Sequence, residues 1–201
     1  DQAEQLLFHV TQKKPNLGLL PASEVLLETF LDLEKRAKEG QEEVESISFP
    51  KLIELVAQIE GDFWIRYTSP HPYDMCDELI EVMASNEKVT NYVNFPLQAG
   101  NDEVLKRMNR HYSVKHYMER LSKLREAMPD IFVSTDCIVG FCGETEDQFK
   151  DSEKAFEQAR FDMAFISQYS PRPGAVSSRK FEDDVSKEEK VRRDRALNEI
   201  L

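Results

Sequence analysis

The sequence is poor in the residues that hold metals and clusters unaided. It has three cysteines, Cys76, Cys137 and Cys142, at spacings that fit no zinc or iron–sulfur motif, so they read as reduced structural thiols. Its four histidines, His9, His71, His111 and His116, form no pair at ligand spacing along one helix face. The chain therefore offers no self-contained metal site. It has no apolar run of membrane-spanning length and no signal-peptide pattern at its start, so it reads as cytoplasmic, with no membrane partner. Acidic residues outnumber basic ones, 38 to 26. A net charge of −12 keeps the protein soluble and excludes a broad nucleic-acid surface, so any such contact is local.

What is present is an ordinary globular composition, 40% hydrophobic and 32% charged over 201 residues, enough for one domain with a real core. The most informative stretch covers residues 134–149. Residues 131–139 are rich in β-branched and aromatic side chains, as in a strand buried on both faces. Gly140 and Gly143 follow and permit a sharp turn or a close ligand approach. Thr145 with Gln148 then makes a capping box that starts a helix. A strand that ends in glycines and passes into a helix is where α/β proteins bind ligands. The spacing Gly-x-x-Gly-Glu is neither a dinucleotide fingerprint nor a phosphate loop, and an ordinary βα loop has the same form.

Residues 1–46 differ in texture, with many acids, no strand pattern and two amphipathic segments around Pro15 to Gly18. Leu26, Leu27, Phe30, Leu31 and Leu33 form a helical stripe, so this part is expected to be an acidic helical insertion or extension. From Ser48 the pattern becomes regular. It predicts a helix over 50–59 and a strand over 63–69, then a helix with Cys76, Leu79, Ile80 and Met83 on one face and a strand over 92–97. A short helix near 101–108 precedes a longer one carrying Val114, Tyr117, Met118, Leu121, Leu124 and Met128. The central strand and its capped helix follow, then a strand over 162–169 and a last polar helix capped by Ser186 with Glu189.

Strands alternating with helices imply an α/β fold of parallel strands and right-handed crossovers, either doubly wound or a (β/α) barrel. Polar residues gather toward the C-terminal halves of the strands: Arg66 and Thr68, Asn94 and Gln98, Ser134 and Asp136, and Gln168 with Tyr169 and Ser170. Several strand ends aiming polar groups at one place is the geometry of a barrel-top site, although buried polar groups also bond one another. A barrel needs about eight strands and four are visible. Either the sheet is open or the chain is part of something longer.

Five ordered motifs carry a resemblance: Arg-Tyr-Thr-Ser-Pro-His-Pro from Arg66, Pro-Leu-Gln-Ala-Gly from Pro96, Leu-Lys-Arg-Met-Asn-Arg-His-Tyr from Leu105, the run from Thr135 to Glu146, and Tyr-Ser-Pro-Arg-Pro-Gly from Tyr169. Over residues 47–201 the chain resembles the radical S-adenosylmethionine (radical SAM) methylthiotransferases, and the Thr-Ser-Pro-His-Pro element resembles their tRNA-modifying branch. The resemblance implies a partial TIM-type barrel whose rim binds S-adenosylmethionine against a 4Fe–4S cluster. That cluster delivers the electron producing a 5′-deoxyadenosyl radical, and a second 4Fe–4S cluster is associated with the sulfur donor. The substrate implied is an isopentenyl-modified adenosine next to the anticodon of tRNA, with flavodoxin or ferredoxin as reductant. Another modified adenosine or a ribosomal protein is the alternative within the family; a cluster-less nucleotide-binding module is the alternative outside it.

The family's Cys-x3-Cys-x2-Cys loop, its N-terminal domain and its C-terminal RNA-binding domain have no counterpart here, so the resemblance implies an interior piece that is inactive alone. By the same resemblance Gly140, Phe141 and Ile138 line the adenine end of the cofactor. Gln98 and Asp136 meet its polar groups, Arg107 or Arg110 its carboxylate, and Gly100 is a further cofactor-binding residue. Arg66, His71, Tyr169 and Arg172 are expected to meet substrate. Ala99, Asn101, Cys137, Cys142 and Ala175 depart from the family's usual residues, and both cysteines are taken as neutral substitutions, not ligands. A basic concentration, Lys106, Arg107, Arg110, Lys115, Arg120, Lys123 and Arg125 with His111 and His116, is opposed within its span by Glu119 alone. It suits either an RNA backbone or a solvated helix face.

Overall fold

The structure, a computed structural model, describes residues 9–12 and 48–201. The helical stripe from Leu26 to Leu33 lies outside the described residues. Two compact units are present, one containing Asp1–Thr68 with Asp77–Thr90, the other Ser69–Cys76 with Asn91–Leu201. No helix among the described residues is long and apolar enough to cross a membrane.

In the first unit, β1 (His9–Gln12) pairs antiparallel with β2 (Phe63–Arg66), His9 opposite Arg66. A strand here corrects the expectation of none before residue 47. Four residues give too short a pattern to read, and this strand is defined by pairing with its neighbour. Helix α1 (Phe49–Ala57) starts at Ser48, whose hydroxyl accepts from the Lys51 N–H, with Pro50 in the first turn, where a missing N–H costs nothing. Helix α2 (Asp77–Ser85) buries Leu79, Ile80, Val82 and Met83 and packs against α1. The chain then returns beside β2 through a parallel bridge between Ile65 and Val89.

In the second unit, β3 (Tyr92–Asn94), β4 (Phe132–Val139) and β5 (Met163–Gln168) form a parallel sheet in that order. β3 is shorter than the predicted 92–97 because the ladder breaks after the Phe95 N–H donates to the Ser134 carbonyl: Gln98, not Leu97, is the next residue whose N–H reaches β4, at the Asp136 carbonyl, so β3 carries an extra residue there. Thr135 fills the gap. Its hydroxyl donates to the Phe95 carbonyl at 2.9 Å and accepts from the Leu97 N–H at 3.0 Å, and Gln98 rejoins β4 at a bridge to Cys137.

Five helices complete the unit: α3 (Asp102–Arg107), α4 (Val114–Ala127), α5 (Glu146–Ala159), α6 (Val176–Lys180) and α7 (Lys187–Ile200). The expected capping box of Thr145 and Gln148 starts α5, and Ser186 caps α7 by accepting from the Glu189 N–H. The five-residue α6 was not foreseen. Successive strand residues face opposite ways. Val133, Thr135, Cys137 and Val139 are fully buried, as are Tyr117 of α4, Phe149 and Phe156 of α5 and Leu197 of α7. Tyr117 stacks on Phe95 at 4.4 Å and donates its hydroxyl to the Phe95 carbonyl at 2.6 Å.

The other face carries Tyr92 and Asn94, then Phe132, Ser134, Asp136 and Ile138, then Met163, Phe165 and Ser167, in register across the three strands. Phe165 is 51% exposed there. A doubly wound sheet has helices over both faces. Among the described residues helices cover one face alone, which fits the open, barrel-like sheet and not the doubly wound one.

Candidate cofactor and substrate site

Asn94 is the centre of a polar ladder on the uncovered face. Its side-chain amide donates to Asp136 Oδ2 at 2.8 Å and to Ser69 Oγ at 2.9 Å. Its Oδ1 accepts from Ser134 Oγ at 2.8 Å, and that hydroxyl lies 2.7 Å from the Tyr92 hydroxyl. Parallel register alone brings these side chains onto one face, since Asn94 is opposite Ser134. The ladder holds Asp136 by one oxygen and leaves the other without a donor among the described residues. Ile138 continues the same face, half-buried.

Just past the strand ends the backbone takes unusual turns. Gln98 has a φ of 66° and Ser69 a φ of 49°. Left-handed backbone at a non-glycine residue costs on the order of 1–3 kcal/mol and clusters where function demands a particular aim. Gln98 is fixed by its N–H to the Asp136 carbonyl at 2.8 Å and by its carbonyl to the Ile138 N–H at 2.9 Å. Its half-buried side-chain amide has no hydrogen-bond partner among the described residues. Gln98, Asp136 and Ile138 are thus brought together with groups to spare.

Other expected site residues are engaged with the protein itself. Gly100 is buried against α5, donating its N–H to Ser152 Oγ at 2.9 Å. Arg107 donates to the Gly143 carbonyl at 3.1 Å and to Gln148 Oε1 at 2.8 Å, bracing the start of α5. Gly140 has a φ of 68°, and a Cβ there would lie 2.3 Å from Cγ of Lys190. The close approach its glycine permits is thus filled by a lysine stem. Phe141 is buried, edge-on to Tyr169 at 4.9 Å and to Phe181 at 6.2 Å. Tyr169, its hydroxyl buried without a partner among the described residues, stands against Phe141 and beneath the Lys190 ammonium at 5.4 Å. Arg172 is exposed, its backbone N–H held by Ser178 Oγ at 3.0 Å. Arg66 ends β2 of the first unit, exposed.

His71 and Arg110 act on each other electrostatically, although the sequence assigned them to different ligands. Burial holds His71 below the ordinary histidine range; Asp74 pulls the other way, and Arg110 and His111 add to the lowering. The His71 ring sits edge-on to Tyr112 at 5.1 Å.

Three residues around the rim escaped the sequence reading. Glu144, 4% exposed, accepts from the Gly140 N–H at 2.6 Å and from Arg193 Nη1 at 2.8 Å. Lys190 donates to the Tyr169 carbonyl at 3.1 Å and to Asp183 Oδ1 at 2.5 Å. Through Lys190 and Arg193, α7 ties the β4–α5 loop to the end of β5. The only signals were the glutamate after Gly143 and two cations in a helix that looked polar throughout.

These groups suit a nucleoside-bearing ligand: an acceptor oxygen on Asp136, a free amide on Gln98 and an apolar contact from Ile138. They do not suit an iron–sulfur cluster. Cys137 and Cys142 are buried and Cys76 is exposed, burial pushes the Cys137 thiol up, and no group of three or more ligand-type side chains gathers among the described residues.

A family model described as the radical SAM superfamily matches residues 28–156. The chain is 44% identical over 149 residues to a tRNA-2-methylthio-N(6)-dimethylallyladenosine synthase of Endomicrobium trichonymphae, covering 74% of this chain and 35% of that protein. It is also 44% identical over 156 residues to the protein of that name in Myxococcus xanthus, covering 77% and 34%. The chain spans about a third of the length of these curated relatives. Among solved structures, coproporphyrinogen III oxidase (HemN) from Escherichia coli, a radical SAM enzyme, superposes with a TM-score of 0.53 at 22% identity, over 64% of this chain and 29% of that one. That likeness is one of fold. An open parallel sheet with helices on one face and polar groups on the other, matched over more than half of its sequence by the superfamily's model, makes this chain a member of the radical SAM superfamily.

Proposed function

We propose that the chain is the S-adenosylmethionine-binding part of a methylthiotransferase that modifies an isopentenylated adenosine of tRNA. The observation that carries this reading is that relatives from separate genera share that activity in their names over most of this chain. Gln98 and Asp136 hold the ligand's polar groups, Asp136 being oriented by Asn94, and Ile138 contacts its base. Gly100, Arg107, Gly140 and Phe141 act through the backbone they position, and Tyr169 closes the rim. When bound, S-adenosylmethionine supplies the hydrogen-abstracting and methyl-donating chemistry. The cysteines of this chain would not ligate a 4Fe–4S cluster, and the partners of this reading are tRNA and a reductant such as flavodoxin or ferredoxin.

Calorimetry on the full-length protein tests the site. Gln98→Ala and Asp136→Ala are each expected to weaken S-adenosylmethionine binding about 5–10-fold, the loss of one hydrogen bond to a charged or polar group. Wild-type affinity in the double variant would remove both residues from the site.

A further inference from the structure

The groups left free for a ligand, one oxygen of Asp136 and the Gln98 amide, stand on different stretches of chain, yet both trace back to one loop. Residues 69–76 belong to the same compact unit as β3 and β4. Ser69 opens this loop with a φ of 49°, a conformation that glycine would adopt without strain. It presents Oγ to the Asn94 amide at 2.9 Å. That amide has its N–H groups in one plane at a fixed angle. One is committed to Ser69 and the other to Asp136 Oδ2 at 2.8 Å, while Oδ1 accepts from Ser134. Asn94 cannot turn without breaking these bonds, so the aim of the Asp136 carboxylate depends on where Ser69 sits.

A second tie runs through Tyr112, against whose ring His71 packs edge-on. Tyr112 is buried, and its hydroxyl donates to the Pro96 carbonyl at 3.2 Å and to the Leu97 carbonyl at 3.0 Å. Burial holds the phenol proton in place, so the hydroxyl stays a donor. These carbonyls immediately precede Gln98, which is also left-handed. The loop has a shape of its own to transmit. The Asp74 N–H donates to the His71 carbonyl and the Cys76 N–H to the Asp74 carbonyl, both at 2.8 Å. Pro70 and Pro72 fix two of its φ angles, and His116 Nε2 lies 3.3 Å from the Pro72 carbonyl.

We propose that Ser69 and Tyr112 are positioning residues for the ligand site: the loop of residues 69–76 aims Asp136 through Ser69 and Asn94, and Gln98 through Tyr112 and the Pro96–Leu97 backbone. Both act through another residue, and neither needs to touch the ligand. His71 enters as packing for Tyr112. The inference rests on the proposed function for the identity of the ligand, S-adenosylmethionine.

The test is S-adenosylmethionine affinity of the full-length protein, measured by calorimetry in double-mutant cycles. Ser69→Gly removes the hydroxyl and keeps the left-handed turn accessible; Tyr112→Phe removes a hydroxyl alone. Each is expected to weaken binding about 2–5-fold, less than the loss of a direct ligand bond. In an Asp136→Ala background Ser69→Gly is expected to add nothing, and in a Gln98→Ala background to keep its full effect. Tyr112→Phe is expected to show the reverse. A merely structural loss would carry through every background equally, so equal losses in all four double variants overturn the positioning roles. Wild-type affinity in both single variants also overturns them, and the proposed site stands if Asp136→Ala and Gln98→Ala still weaken binding. If those alanine variants bind as the wild type does, the ligand site itself falls and this inference with it.

Discussion

Arg193→Met is expected to destabilise the fold by about 3–5 kcal/mol, because it strands a buried carboxylate without its cation. Glu144 and Arg193 are each 4% exposed. The Arg193 guanidinium meets Glu144 Oε2 at 2.8 Å, the Glu144 carbonyl at 3.0 Å and Glu189 Oε1 at 2.8 Å. Burial already pushes the Glu144 carboxyl up from its ordinary value, against the pull of the Gly140 N–H and Arg193. Without Arg193 it rises further, so the folded chain retains a proton that the unfolded chain releases. Stability then falls as pH rises between the unfolded and folded values, and the loss is smaller at about pH 5 than at about pH 8. The double variant E144Q/R193M recovers part of the loss, since no unpaired charge remains and the amide still accepts from Gly140. Urea unfolding of the three chains across pH measures this. A loss under about 1 kcal/mol, flat with pH, is what an exposed pair gives and would contradict the buried clamp.

Gly100→Ala is expected to cost about 3 kcal/mol, at the upper end of overpacking. A Cβ at this position would lie 2.4 Å from Ser152 Cα and 2.8 Å from both the Asp151 carbonyl and the Ser152 nitrogen. These are backbone atoms of α5, so no rotamer change relieves the contact and the helix itself must shift. The Asn101–Asp151 hydrogen bond of 2.8 Å would be strained with it. Truncating Ser152 does not rescue the variant, because Cα is the clashing atom. The check is thermal unfolding of Gly100→Ala, Ser152→Gly and the double variant. Recovery in the double variant, or stability equal to wild type in the single one, would mean that α5 does not press on Gly100.

Local patterns in the sequence located the parts that depend on neighbours in the chain. The β-branched run before Val139, the Thr145–Gln148 box and the Ser186 cap lie where the chain's own spacing puts them. The gathering of Asn94, Ser134 and Asp136 on one face follows from alternation along the strands. Contacts over long separations were not legible. Gly140 was read as room for a ligand, whereas its neighbour is Lys190, fifty residues on, whose stem a spacing argument cannot place. Arg107 was read as a partner of the cofactor carboxylate and Arg125 as part of a basic face for RNA or solvent, whereas both donate to carbonyls of other elements. Thr135 looked like an ordinary strand residue, yet its hydroxyl accepts from the Leu97 N–H where the β3–β4 ladder breaks. β1 carried no readable pattern because four residues acquire strand structure from a partner.

Mass spectrometry of the nucleosides in tRNA from a strain lacking the gene tests the proposed function most directly. The expected result is loss of the methylthio group from isopentenyladenosine, with the unthiolated nucleoside accumulating and a wild-type copy restoring it. Methylthiolated isopentenyladenosine at its normal level in that strain, with no second gene for the activity, would contradict the assignment of tRNA as substrate.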